Sequence, residues 1–139
     1  MGDFLTRPIT DKNPTDGKDD KLKYGACSMQ GWRKSNEDAH SHILDLGDGN
    51  SLFAVYDGHG GKFVALFCER YLSQVLLENE NYRQGNYSLA LQETFVEVDY
   101  MLLSDEGHEK MKTVVFTEQA KKLSTQDVIY DHDDENRLR

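Results

Sequence analysis

The run Leu52-Phe53-Ala54-Val55-Tyr56-Asp57-Gly58-His59-Gly60-Gly61 decides how this chain is read. Five apolar residues without alternation predict a strand covered on both faces, and so a sheet inside a layered structure. Beyond Gly61 the period changes. Val64, Phe67, Cys68, Tyr71, Leu72 and Val75 recur at three- and four-residue steps, which predicts an amphipathic helix over 61–77. At the junction, Asp-Gly alone is an ordinary turn signal. That reading accounts for Asp57 and Gly58 but leaves His59, Gly60 and Gly61 unexplained. A rigidly held carboxylate, glycines that admit ions close to the backbone, and an imidazole able to exchange a proton near neutral pH suit chemistry better.

Upstream, the chain reads as a strand over 21–30 and a second over 39–46. A Gly47-Asp48-Gly49-Asn50 turn then leads into the apolar strand over 51–56. Downstream, Leu91, Phe95, Val98 and Leu102 mark one face of a helix over 87–104, with Asn86 or Ser88 as candidate caps. Strands followed by helices give an α+β class. Both prolines, Pro8 and Pro14, fall in a polar stretch, so residues 1–20 are expected to form a flexible arm. The folded part is expected over 21–104. Residues 105–139 are expected to be a polar, weakly structured tail with at most a short helix over 115–123 and a charge run over 131–139.

Composition narrows the classes. With 139 residues the chain holds one domain, and its 37% hydrophobic content is low and uneven. Twenty-five acidic residues against 16 basic leave a net charge of −9, which disfavours nucleic acid as a partner and suits metal cations. Cys27 and Cys68 form no CxxC pair and read as reduced core residues of an intracellular, cytoplasmic protein. His40 and His42 lack the cysteine spacing of zinc sites and read as polar strand residues facing solvent. No apolar run is long enough to span a bilayer. The only expected membrane link is the N-terminal pattern for myristoylation on Gly2, against which the neighbouring Asp3 weighs.

Three further residues join the junction: Arg33, Glu37 and Asp38, within Gly31-Trp-Arg-Lys-Ser-Asn-Glu-Asp-Ala-His40. A hairpin returning through residues 46–51 would carry Glu37 and Asp38 back beside Asp57. Strand alternation would let only one of the two point squarely inward. Carboxylates with a backbone carbonyl such as that of Gly58 suit hard ions, Mg²⁺ or Mn²⁺.

The two motifs, Tyr24-Gly-x-x-Ser28-Met-Gln-Gly-Trp-Arg33-x-x-x-Glu37-Asp38-Ala-His40 and Phe53-Ala-Val-Tyr-Asp57-Gly-His59-Gly, stand in one order. Over roughly residues 1–104 the chain resembles the start of a metal-dependent Ser/Thr protein phosphatase of type 2C. The resemblance implies a four-layer αββα sandwich, of which this chain would carry the N-terminal part. It also implies that Asp57 bridges two metal ions and that the Gly58 carbonyl binds one of them. Glu37 and Asp38 would hold metal-bound waters or complete the coordination. Arg33 would grip the phosphate, and His59 would protonate the departing seryl or threonyl oxygen. The implied partners are phosphorylated proteins.

Members of that family are expected to be about twice this length. Their later motifs, Gly-Asp-Ser-Arg, a second Asp-Gly and a late Asp-Asn, are absent here, and Val128-Ile129-Tyr130-Asp131 is no substitute because no glycine follows it. The leading reading is therefore a fragment or truncated form of such an enzyme, with little activity alone. The alternative is a non-catalytic adaptor that keeps a half-fold and leans on a larger protein partner. A metal-dependent nuclease is disfavoured by the acidic charge.

Overall fold

The computed structural model describes residues 4–133, with side chains described through residue 124. Gly2 and the end of the charge run lie outside the described residues. Four strands come first, β1 (Phe4–Lys18), β2 (Lys23–Arg33), β3 (Ala39–Gly47) and β4 (Asn50–Tyr56). Four helices follow, α1 (Phe63–Glu78), α2 (Glu80–Arg83), α3 (Tyr87–Leu103) and α4 (Asp105–Asp133). The strands make two antiparallel pairs, β1 with β2 and β3 with β4.

The β3–β4 hairpin turns on Asp48 and Gly49, both at positive φ (52° and 77°), between the paired residues Gly47 and Asn50. Positive φ at both central positions matches the right-handed twist of the strands, and Asp-Gly is the sequence that supplies it. The ladder above the turn has two faces. Leu52 and Tyr56 pack on the helices, against a core of Phe67, Tyr71, Leu72, Val98 and Val114. Ser41 on the same face hydrogen-bonds with the Tyr56 hydroxyl (3.2 Å) and the Glu69 carbonyl (3.4 Å). A second cluster joins Leu46, Leu76, Tyr82 and Ala90 at the hairpin end.

On the other face, Tyr24 of β2 stacks on His42 (4.7 Å between centroids) and tilts against Phe53 (5.8 Å). Helices, sheet and second sheet thus form three successive layers, a part of the expected sandwich. The helix-side face of β4 is covered, but its other face is largely open: Val55 is 77% exposed. The expectation of a strand buried on both faces is corrected accordingly. The chain exposes 10889 Å², against roughly 7,400 Å² for a compact monomer of this mass.

Other expectations are also corrected. Residues 4–18 are not a flexible arm but an edge strand, where Pro8 and Pro14 are tolerated because no second ladder needs their missing N–H groups. Residues 105–133 are not a weakly structured tail but α4, which puts Val114 into the main core, and residues 128–131 are helical within it. Cys27 is exposed and Cys68 only half-buried. His40 and His42 are half-covered, with their rings 4.5 Å apart. Asn86 stands at the N-cap of α3, but its side chain makes no capping bond. No described helix is long and apolar enough to cross a membrane.

The burial contrast yields a direct test. Phe67 is fully buried, so Phe67→Ala should lose about 3–5 kcal/mol in urea denaturation. Val55→Ser, on the open face, should stay within about 0.5 kcal/mol of the parent. Equal losses at the two positions would contradict this layering.

Candidate functional site

The site grows out of the β3–β4 register. Ala39 pairs with Tyr56, so the segment just before β3 and the segment just after β4 leave the sheet side by side. Two backbone-to-carboxylate bonds then join them. The Gly58 N–H donates to Asp38 Oδ1 (3.2 Å) and the Gly61 N–H to Glu37 Oε2 (3.0 Å). The contact is too close for a side chain at residue 58. A Cβ there would lie 2.0 Å from the Glu37 carbonyl oxygen. Gly58 is therefore required by proximity, whereas Gly60 and Gly61 are required by positive φ (70° and 126°).

The upstream loop is locked from within. Gln30 Nε2 donates to the carbonyls of Arg33 (2.9 Å) and Lys34 (3.1 Å). Asn36 Oδ1 accepts from the Asp38 N–H (3.2 Å), an Asx turn that aims Asp38 toward Gly58. Ser35 Oγ donates to Glu37 Oε1 (2.9 Å). Gln30 stood inside the first motif with no role assigned to it, and Ser35 and Asn36 were not singled out as site residues.

These bonds give Glu37 a defined charge state. The Gly61 N–H, then the Ser35 hydroxyl, hold its carboxyl below the usual carboxylate range, with further help from the charges of Arg33 and His59. Both oxygens of Glu37 are occupied, so it acts as a clamp between loops. Asp38 and Asp57 remain exposed.

Arg33, Glu37, Asp38, Asp57 and Gly58 all line one recess of about 190 Å³. Five of the six residues singled out from sequence therefore converge. His59 is exposed and does not line the recess, though its charge reaches Glu37. The donors are hard oxygens, the chemistry that suits Mg²⁺ or Mn²⁺. Among the described residues, however, no three His, Cys, Asp or Glu side chains are grouped closely enough to hold an ion. The chain supplies part of a coordination sphere. Cys68 is no rival nucleophile, because burial, and then the charge of Asp99, push its thiol up.

The family model described as Protein phosphatase 2C matches residues 22–130. The chain is 50% identical over 107 residues to probable protein phosphatase 2C 21 of Arabidopsis thaliana, covering 77% of this chain and 30% of that protein. It is 44% identical over 114 residues to probable protein phosphatase 2C 6 of Paramecium tetraurelia, covering 82% and 39%. A third relative, probable protein phosphatase 2C 58 of Oryza sativa subsp. japonica, is 43% identical over 114 residues, covering 82% and 31%. The matched part of the chain thus spans about a third of the length of these relatives. The family match also continues past residue 104, through most of α4.

Two outcomes follow. Gly58→Ala should force the two loops apart and cost about 1–3 kcal/mol, read as a fall in thermal midpoint with the helical circular dichroism kept at low temperature. An unchanged midpoint would refute the close approach. Ser35→Ala should raise the pKa of Glu37 toward its ordinary value of 4.5, measured by carboxyl NMR titration. The folded-state pKa of Glu37 is depressed, so its contribution to stability is present above the unfolded value and lost as pH falls through the folded one.

Proposed function

This chain belongs to the protein phosphatase 2C family, and we propose that it forms the N-terminal part of a protein serine/threonine phosphatase. The observation that carries the reading is the convergence of Arg33, Asp38, Asp57 and Gly58 on one recess, with Glu37 bracing its two loops.

In this reading the Arg33 guanidinium takes two phosphate oxygens through its planar fork, orienting the phosphoryl group against the carboxylates. Asp57, Asp38 and the Gly58 carbonyl would hold part of the shell of Mg²⁺ or Mn²⁺, with the remaining ligands supplied from elsewhere in a complete domain. When bound, such ions supply an acidified water and neutralise phosphate charge. Glu37 keeps the loop of residues 57–61 at a fixed distance from Asp38. His59, in its protonated form, gives its proton to the departing seryl or threonyl oxygen, which is a poor leaving group as an alkoxide. Phosphorylated proteins of the cytoplasm are the proposed substrates, with acylation of Gly2 as the only proposed membrane link. The acidic net charge supports a partner other than nucleic acid.

The test uses a full-length domain carrying this sequence and a phosphothreonine peptide. Hydrolysis should require Mn²⁺ or Mg²⁺. Asp57→Asn should abolish it, and His59→Gln should lower turnover by about 10²–10⁴-fold. Arg33→Lys should raise KM because the bidentate grip is lost. Normal turnover in Asp57→Asn would overturn the reading. The 139-residue chain alone should stay at background. A non-catalytic adaptor role is favoured by one observation, the lack of a three-ligand cluster among the described residues. It predicts no metal-dependent turnover even in the full-length domain.

A further inference from the structure

A groove of about 680 Å³ lies between α1 and α3, and it shares no lining residue with the recess around Asp57. Its floor is apolar, formed by Val75, Leu89 and Val96, and the latter two are 46% and 53% exposed. Its rim is acidic, with Glu78, Glu93 and Glu97, and among the described residues no lysine, arginine or histidine lines it.

The groove follows from how α3 is written. Ala90, Thr94 and Val98 take the core side of the helix. Leu89, Glu93, Val96 and Glu97 stand at i, i+4, i+7 and i+8 and therefore share a second side. That side repeats an apolar–acidic pattern and, among the described residues, finds no cover. The rim is also ordered. Glu93 Oε2 accepts from Asn79 Nδ2 (2.9 Å) and Asn81 Nδ2 (2.8 Å), while Asn79 Oδ1 caps α2 through the Tyr82 N–H (3.2 Å). The corner between α1 and α2 thus holds Glu93 in place and keeps its carboxyl below the usual range.

We propose that this groove docks a basic amphipathic helix of another protein. Its apolar side chains would fill the floor, and its lysines or arginines would meet Glu78, Glu93 and Glu97. Charge selects this occupant. An apolar partner would bury the carboxylates of Glu93 and Glu97 without counter-charge, which is costly. A second copy of this chain brings a net charge of −9 against the same rim and is repelled. An amphipathic helix laid into such a groove presents its anchors at i, i+3, i+4 and i+7. The proposal stands apart from the phosphatase reading and does not depend on it.

The probe is a fluorescein-labelled leucine–lysine peptide of roughly 18 residues with that anchor spacing, titrated into the whole 139-residue chain and read by anisotropy. Saturable micromolar binding is expected, weakening as salt rises. Val96→Asp should weaken it at least about 10-fold, the loss of one central anchor. The double variant Glu93→Gln, Glu97→Gln should weaken it about 5-fold and flatten the salt dependence. Val55→Asp, on the open sheet face, and Glu106→Gln, an acid outside the groove, should leave binding unchanged; circular dichroism confirms the fold of each variant. Equal affinity in the groove variants and the parent overturns the proposal. So does equal binding of a leucine–glutamate peptide. Self-association lost in Val96→Asp would assign the groove to a second copy and overturn it as well.

Discussion

The site depends on the approach of Gly58 to the backbone of Glu37. Because residue 58 carries no side chain, two loops about twenty residues apart in sequence pass within contact distance. At that distance the Gly58 N–H reaches Asp38 and the Gly61 N–H reaches Glu37. The chain of causes runs back to a turn. Asp48 and Gly49 set the hairpin, the hairpin sets the pairing of Ala39 with Tyr56, and that pairing brings the two loops together. A one-residue slip in this ladder would turn Leu52 and Tyr56 away from Phe67 and carry Asp57 to the wrong side of Asp38. Core packing and site geometry are therefore held by one register.

How much of this was legible varies with the kind of signal. The hairpin, α1 and α3 were readable because Asp-Gly and the helical period are local signals. The faces of the helices were not. On α3 the residues expected inside included Phe95, which is 59% exposed, while Ala90 and Thr94 take the core side. Apolar residues surround that helix, so periodicity alone had no single answer. β1 was illegible for a different reason. Its stability lies in backbone bonds to β2, and a polar edge strand with two prolines has the composition of a disordered arm.

The candidate site was more legible than its supports. Arg33, Glu37, Asp38, Asp57 and Gly58 meet at one recess, and such residues stand out by type in the sequence. Gln30, Ser35 and Asn36 hold the loop by ordinary hydrogen bonds, and the same residue types do so in countless turns. Glu37 also ties the two loops together, because its oxygens accept from the Gly61 N–H and the Ser35 hydroxyl. Like Asp38 it lines the recess.

The frame extends to α4, the segment least expected to matter. Lys62 follows the clamped Gly61 directly, and its ammonium pairs with Glu118 at 2.5 Å, with side chains 30% and 14% exposed. Arg70 on α1 donates to Thr117 one residue away on α4 (3.3 Å). An ion pair this sheltered is screened less by salt than the surface pair Lys112–Glu109, whose side chains are 71% and 72% exposed. Lys121, then Lys62, hold the Glu118 carboxyl below its ordinary range. Its contribution to stability is accordingly present above the unfolded value and lost as pH falls through the folded one. Val114 anchors the same helix in the core. A shift of α4 would therefore reach Lys62 first and the Gly61–Glu37 bond next. The recess around Asp57 is held by packing of α4 as well as by the loops that line it.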